Sequence, residues 1–498
     1  MYLNNKGFAI STVLYSLLIM ATLILFLLVG NLSFERRTTS NFVNDIKDEL
    51  NAFASIFGNS KSERKSLAEA LLTNVGDKGS YYDDGTDTFI TGEDPNNYIW
   101  YSGKLWRAVS INNAEKTIKM VTQWSMAIIS YSSGGSNFQN SYLKQWLNDT
   151  SVDGFLGNLR NPESFLKMDS TWNLETFSGS LNNINKPNNE NTDVSAVGLL
   201  NAYEYKESFT GTDYTNGYLN NKTYWWTLSP SRNSSVINIH DDGNIYSSNQ
   251  DDLRGIRPVV NLKTDIEFVS GDGTVNNPYR LKDDNDTDLN GTLLNTRYSG
   301  EYIKIGEDNE NLYRIISHEN WSGTKVTSAE PLKRNGKFVY NDFGNNAIFS
   351  STNKIGTFLN GEYLLDFIGE GYSNLIEENT TWYLGRVADG ANYRLAKYID
   401  NTSNTVTTYV TTAKVGLPRL GELMSGQTNN KNNNITFWML TPCDSSTVYL
   451  AERPGHSIAF YATMTGTIGV KPTFNLKSNV IITSGDGTKQ NPFTLSVQ

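Results

Sequence analysis

Apolar positions follow three regimes along this chain. From Phe8 to Leu32 they run almost unbroken, FAISTVLYSLLIMATLILFLLVGNL, with no charge between Lys6 and Glu35. A helix needs about 20 such residues to cross the hydrocarbon core of a bilayer, where only a helix satisfies its own backbone. The run therefore predicts a transmembrane helix. It exceeds the roughly 7–15-residue apolar core of a secretory signal peptide, and no A-x-A site follows it. The pattern then changes: Phe42, Ile46, Leu50, Phe53 and Phe57 recur at spacings of four, four, three and four, with Asp45, Lys47, Asp48 and Glu49 between them. That is one face of a 3.6-residue period, so the helix is expected to continue to residue 57 and to pack on the first globular domain. Beyond residue 58 the apolar runs are short and separated by Gly, Asp and Asn. The stretch GDKGSYYDDGTDTFITGEDPNN is dense in turn formers, and residues 58–95 read as a linker, with a short helix over Leu67–Leu72.

The rest of the chain is written twice. Gly255-Ile256-Arg257-Pro258 with Asn261-Leu262-Lys263 reappears as Gly469-Val470-Lys471-Pro472 with Asn475-Leu476-Lys477, an offset of 214 residues. At the same offset, Ser270-Gly271-Asp272-Gly273-Thr274 matches Ser484-Gly485-Asp486-Gly487-Thr488, and Asn277-Pro278-Tyr279 matches Asn491-Pro492-Phe493. Upstream, with small insertions, Trp226-Thr227-Leu228-Ser229-Pro230 matches Trp438-Met439-Leu440-Thr441-Pro442, and Val197-Gly198-Leu199 matches Val415-Gly416-Leu417. Thr171-Trp172 matches Thr381-Trp382, and Leu105-Trp106-Arg107 matches Leu312-Tyr313-Arg314. Such self-similarity marks a duplicated unit. Domain one is placed at 96–283, a linker at 284–296 and domain two at 297–498.

Each copy reads mostly as strands: Trp106–Ile111, Thr117–Thr122, Val236–Ile239, Asn244–Ser247 and Ile266–Ser270, with Asp242-Gly243 suited to a hairpin turn. Helices are expected over Asn140–Asn148, Val194–Tyr205 and Leu359–Ile368. The fold class is α+β with β dominant: a long N-terminal transmembrane helix, then two homologous β-rich domains.

Composition narrows the function classes. The chain has 498 residues, 42 Lys+Arg against 52 Asp+Glu, a net charge of −10, three His and one Cys. An acidic chain lacks the basic face that nucleic-acid binding needs, so no nucleic-acid partner is expected. One cysteine excludes an internal disulfide scaffold and a Cys-rich metal site. His240, His318 and His456 are too scattered for a histidine cluster, so neither a metal nor a cofactor is expected. No GxSxG, Walker-type loop or HExxH pattern occurs, and no catalytic residue is assigned.

Two resemblances extend this reading. Lys6-Gly7-Phe8 ahead of a long apolar helix resembles the leader junction of type IV prepilins and pseudopilins. The resemblance implies processing at Gly7 and Phe8: cleavage after Gly7 on the cytoplasmic side, a methylated Phe8 terminus, and a C-terminal part outside the cell. Thr12 stands where that family carries a Glu whose carboxylate meets a neighbour's terminal amine during assembly. The W-x-L-[ST]-P … G-[IV]-[RK]-P pattern closing with SGDGT resembles a module of surface proteins in low-GC Gram-positive bacteria, and its elements also resemble C-type-lectin-like folds.

Candidate site residues follow. Asp272 and Asp486 in SGDGT read as turn formers rather than calcium ligands, because the loops lack the other acidic positions a calcium loop needs. Arg257 and Lys471 read as buried cations, with Glu204 and Glu422 as partners. Cys443 reads as a small buried residue, although His456 follows it. Trp226 and Trp438 read as core. Trp225, with Asp241 and Asp242 in the hairpin, is the candidate ligand-binding group. The expected protein is a single-pass cell-membrane protein, anchored by residues 8–32, whose extracellular C-terminal domains display two recognition or adhesion faces to a glycan or protein ligand. Beside it stand a minor pilin or pseudopilin-like subunit, with pilin-like partners, and a surface carbohydrate-active enzyme.

Overall fold

The computed structural model describes residues 65–498 except 133, 152–153, 212–213, 233, 253, 285–288, 307–309, 318–322, 385–409, 420–434, 443–445, 452–458 and 464–467. The apolar run 8–32, the Gly7–Phe8 junction, the helical stripe to Phe57, and Glu422, Cys443 and His456 lie outside the described residues. Among the described residues no helix is long and apolar enough to cross a membrane.

What the described residues form is β-dominant. In the first copy one sheet runs in the order 268–270, 279–281, 98–101, 104–112, 118–122, 259–262, 197–198. All neighbours pair antiparallel except 279–281 beside 98–101, which is parallel. A second sheet orders 245–249, 235–239, 225–230, 254–256, 127–129. The second copy repeats both arrangements: 302–304, 312–317, 324–328, 473–476, 415–416, and 459–463, 447–451, 437–442, 468–469, 340–341. Even the exception recurs, since Tyr279 lies parallel to Ile99 and Phe493 is bridged parallel to Ile303; in the second sheet Trp225 lies parallel to Gly255 and Phe437 parallel to Gly469. The central strand Lys104–Asn112 is buried over nearly its whole length, as a strand is when both faces of its sheet are covered.

The repeated sequence motifs repeat because each does the same structural job twice. Trp172 Nε1 donates to Ser195 O at 2.9 Å, and Trp382 Nε1 to Ala413 O at 3.0 Å. Gly198 and Gly416 lie against those two indole rings; a Cβ would come within 2.4 Å of Trp172 and 2.8 Å of Trp382. Helices Tyr142–Asn148 and Lys354–Asn360 are capped by Ser141 and Asn353, residue types whose side chains satisfy free helix-start N–H groups. Each helix ends in an Asn that pins a strand about 50 residues further along the chain. Asn148 donates to Val197 O at 3.0 Å and accepts from Val197 N at 3.0 Å; Asn360 does the same with Val415, at 3.0 and 2.9 Å. In SGDGT, Gly271 and Gly485 have φ of +102° and +93°, and a Cβ would sit 2.2 Å from the carbonyls of Pro278 and Pro492. Only glycine fits such a position.

The structure corrects the sequence reading in four places. Residues 65–95 are not a linker. Leu67–Thr73 is a helix whose Leu67 and Leu71 enter the first core, and the hairpin Gly79–Asp83 with Asp87–Gly92 joins strand Lys104–Asn112. The turn-rich composition belongs to that hairpin's ends, while Phe89 and Ile90 are buried. Residues 284–296 are not a free linker either: Asp284 is buried, and Leu289 and Leu294 belong to the second core. Val194–Tyr205 is not one helix. It holds two short strands and only the helix Ala202–Lys206, which starts at a capping box formed by Asn201 and Glu204. In copy two, Leu359–Ile368 is split between the end of Lys354–Asn360 and a π-helical turn at Leu364–Ile368, with Gly361 between them.

The two cores are also not fully separate. Ile316, Phe437, Met439 and Ala451 of the second copy belong to the first copy's cluster.

Candidate functional site

Of the residues assigned to ligand binding, Trp225 lies in the core and Asp242 is bonded within its own hairpin. Trp225 is 0 % exposed; its ring lies 4.7 Å from the Arg257 guanidinium and meets Tyr205 edge-on at 5.5 Å. This corrects the ligand-binding assignment: a residue so placed meets no ligand without opening the core. Asp242 caps its own hairpin, accepting from Asn244 N at 2.9 Å and from Tyr246 Oη at 3.2 Å. These hydrogen bonds, set against its partial burial, hold its carboxyl below the usual range. The Asp241 backbone carbonyl accepts from Asn220 Nδ2 at 3.1 Å in the same turn. Arg257 does not pair with Glu204. It donates to Thr122 O at 2.8 Å and Leu219 O at 2.7 Å, while Glu204 takes Lys119. In SGDGT the Asp272 carboxylate accepts from the N–H and hydroxyl of Thr274, and Asp486 from those of Thr488. Both loops are the turns the sequence suggested. Among the described residues no cluster of His, Cys, Asp and Glu could hold a metal.

A concave surface lies between the two copies. A cleft of about 730 Å³ is walled on one side by Tyr98, Trp100, Gln123, Trp124, Asn276 and Arg280, and on the other by Tyr302, Glu310, Arg314, Glu330, Lys333 and Lys489. Domain boundaries are a favoured place for ligand sites. Equivalent positions of the repeat meet here: Tyr98 and Tyr302, Leu105 and Leu312, Gln123 and Ala329, Trp124 and Glu330, Val275 and Lys489, Asn276 and Gln490 all line it. The two copies thus turn one and the same face inward.

Although the positions are equivalent, the side chains have diverged. Trp124 stands where the other copy has Glu330, and Val275 where it has Lys489. One wall is therefore richer in aromatic and amide groups and the other in charged ones. Four cations (Arg280, Arg314, Lys333, Lys489) line the cleft against two carboxylates, in a chain whose net charge is −10. Both carboxylates are engaged: Glu330 by Lys333 at 2.7 Å and Glu310 by the N–H of Gly336.

Cross-copy bonds hold the walls together. Lys104 is 1 % exposed and donates to Ser299 O at 2.8 Å and Ser299 Oγ at 3.0 Å. Arg314 donates to Gly300 O at 2.7 Å and to Gly103 O of the other copy at 3.3 Å, with its guanidinium 4.5 Å from the Tyr302 ring. Gly103 and Gly300 permit this approach: a Cβ on Gly300 would lie 2.3 Å from Gly103 O, and both have positive φ. Asp284 accepts from Ser102 N at 3.1 Å beside Arg160, and Glu301 takes Arg297 at 2.6 Å. Burial pushes Asp284 up to about 7; burial, aided by Arg314 nearby, pulls Lys104 down to about 7. The junction is built of buried, hydrogen-bonded charges, although the Oδ1 atom of Asp284 has no hydrogen-bond partner.

Sequence reasoning missed Trp124, Arg280 and Lys489. Their signal was present in the repeat itself: positions at which the two copies share a backbone yet differ in chemistry. Comparison of the chain with protein-family models, with curated proteins and with solved structures finds no match to any of them.

Proposed function

We propose that this chain is a membrane-anchored bacterial surface protein whose duplicated domains form a recognition module, with the ligand held in the cleft between them. The observation that carries the reading is the cleft itself, where equivalent faces of the two copies meet and have diverged into unlike walls. The shared backbone with unlike side chains gives one cleft two chemically distinct walls. The apolar run Phe8–Leu32 supports the anchor, with the domains outside, and the lectin-like resemblance of the repeated motifs supports recognition over catalysis. In place of two separate adhesive faces, the proposal assigns one composite site.

The test is surface shaving and fractionation of cells carrying the full chain. Recovery in the membrane fraction, with the domains cut by external protease, is the expected result; full-length chain in the soluble cytosol overturns the reading. A second reading, a minor pilin-like subunit, rests on Lys6-Gly7-Phe8. It requires an N-terminal methyl-Phe in the mature chain by mass spectrometry, and an intact Met1 removes it.

A further inference from the structure

We infer that the ligand of the inter-copy cleft is an acidic saccharide, a sugar chain carrying carboxylate, sulfate or phosphate groups; this rests on the composite-cleft reading above. Its volume of about 730 Å³ lies within the range of small-ligand sites, about 300–1,000 Å³. The first wall offers Trp124, which is partly exposed, beside the largely buried Trp100. Aromatic faces of this kind pack against the C–H faces of pyranose rings and also bury apolar area. Gln123, Asn276 and Gln490 carry amides, which both donate and accept and so match sugar hydroxyls.

The charge pattern selects among saccharides. Four cations against two carboxylates give the cleft a positive balance inside an acidic chain, with Lys333 paired to Glu330 and Arg314 bonded to backbone carbonyls. Lys489 is the most open of these cations, its side chain 62 % exposed, with its ammonium 4.0 Å from Glu330. Arg280 lies on the opposite, aromatic wall. A polymer with apolar ring faces and negative substituents matches both walls at once. A neutral sugar makes no use of the exposed charge of Lys489, and a small anion makes none of the partly exposed face of Trp124. An extended peptide is disfavoured by the strands. Peptides commonly add to an unpaired sheet edge, whereas Tyr98–Tyr101 at the cleft already has neighbours on both sides, and Tyr302–Lys304 pairs with Leu312–Ser317 and is bridged to Phe493 through Ile303.

The test uses the full chain in detergent and a uronic-acid-containing tetrasaccharide, with its carboxyl-reduced neutral counterpart and an acidic peptide as comparisons, read by calorimetry. The expected result is tighter binding of the acidic sugar than of the neutral one, weakening as salt rises. Lys489→Glu should cost about tenfold for the acidic sugar and leave the neutral one unchanged, and Trp124→Ala should cost about tenfold for both, the loss expected from removing one interface anchor. Trp124→Phe, which keeps an aromatic face, should recover most of the loss and guards against a folding defect. Equal binding of neutral and acidic sugars, sensitive to Trp124, overturns the acidic class while keeping the composite cleft. Binding of the peptide alone, or saccharide binding indifferent to both Trp124 and Lys489, overturns the saccharide assignment.

Discussion

The two copies share a skeleton and differ in what they place around it. Each builds the same pair of sheets, pins a strand with a helix-terminal Asn, and seats a Trp on a strand glycine. Yet the cation after the repeated glycine is Arg257 in one copy and Lys471 in the other. Arg257 finds two carbonyls and the face of Trp225, whereas Lys471 lies over Phe437 at 5.1 Å and reaches one carbonyl, Ala329 O, at 3.5 Å. The first copy also gains a helix and a hairpin from residues 65–95, and its core takes in four residues of its neighbour. The Asn and Trp positions that satisfy backbone groups are kept in both copies, while several cleft positions, Trp124 against Glu330 and Val275 against Lys489, are not. A buried polar atom that loses its partner carries the full desolvation cost, and a surface side chain carries none.

The largest expected effect breaks the skeleton at its tightest point. Gly198→Ala and Gly416→Ala each push a methyl into an indole ring. Overpacking of this kind costs about 1–3 kcal/mol, and the closer approach at Gly198 places it at the upper end and Gly416 lower. Chemical denaturation of the two variants checks the order, and a tolerant Gly198 would show that the Trp172 packing is not shared.

Next come the pinning amides. Asn148→Ala and Asn360→Ala each strand the N–H of Val197 or Val415 and remove a donor from its carbonyl, at about 2 kcal/mol apiece, with Ser195 Oγ still reaching Val197 O at 3.2 Å in the first copy. Near-equal losses sharpen the claim of one repeated device. A loss in only one copy breaks it.

A smaller effect separates the two cations by pH. Burial, with Arg314 nearby, pulls Lys471 down to about 7, and burial pulls Arg257 down to about 9. Between pH 7 and the ordinary lysine value the unfolded chain holds more protons at Lys471 than the folded chain does, so stability rises with pH across that window. Lys471→Met should flatten the rise in melting temperature from pH 7 to pH 9. Arg257→Met should leave the slope over the same interval unchanged, because Arg257 stays protonated up to about 9. Lys104, also near 7, keeps part of the slope in both variants.

Much of the β-rich architecture was legible in the sequence because the repeated residues are the ones that close hydrogen bonds. Trp172, Trp226, Gly198 and the SGDGT turn each recur with their geometry. The errors have physical causes. Residues 65–95 read as a linker because Gly, Asp and Asn at the hairpin ends outnumber the few apolar residues that anchor it. Val194–Tyr205 read as a helix because its apolar run suits either period, and pairing with Val259–Leu262 decided for strand at Val197–Gly198. Trp225 read as a ligand contact because its copy-two match, Phe437, suggested a freer position; a buried cation beside it was visible only in three dimensions. The cleft was hidden because its walls come from strands and turns far apart in the chain.

Hydrogen exchange of the full chain, with and without a bound saccharide, tests the composite site most directly. The account predicts added protection in both copies together, in segments 98–105 and 275–280 and in 302–314 and 488–490. Protection confined to one copy, or appearing around Trp225 and Asp241–Asp242 instead, would contradict it.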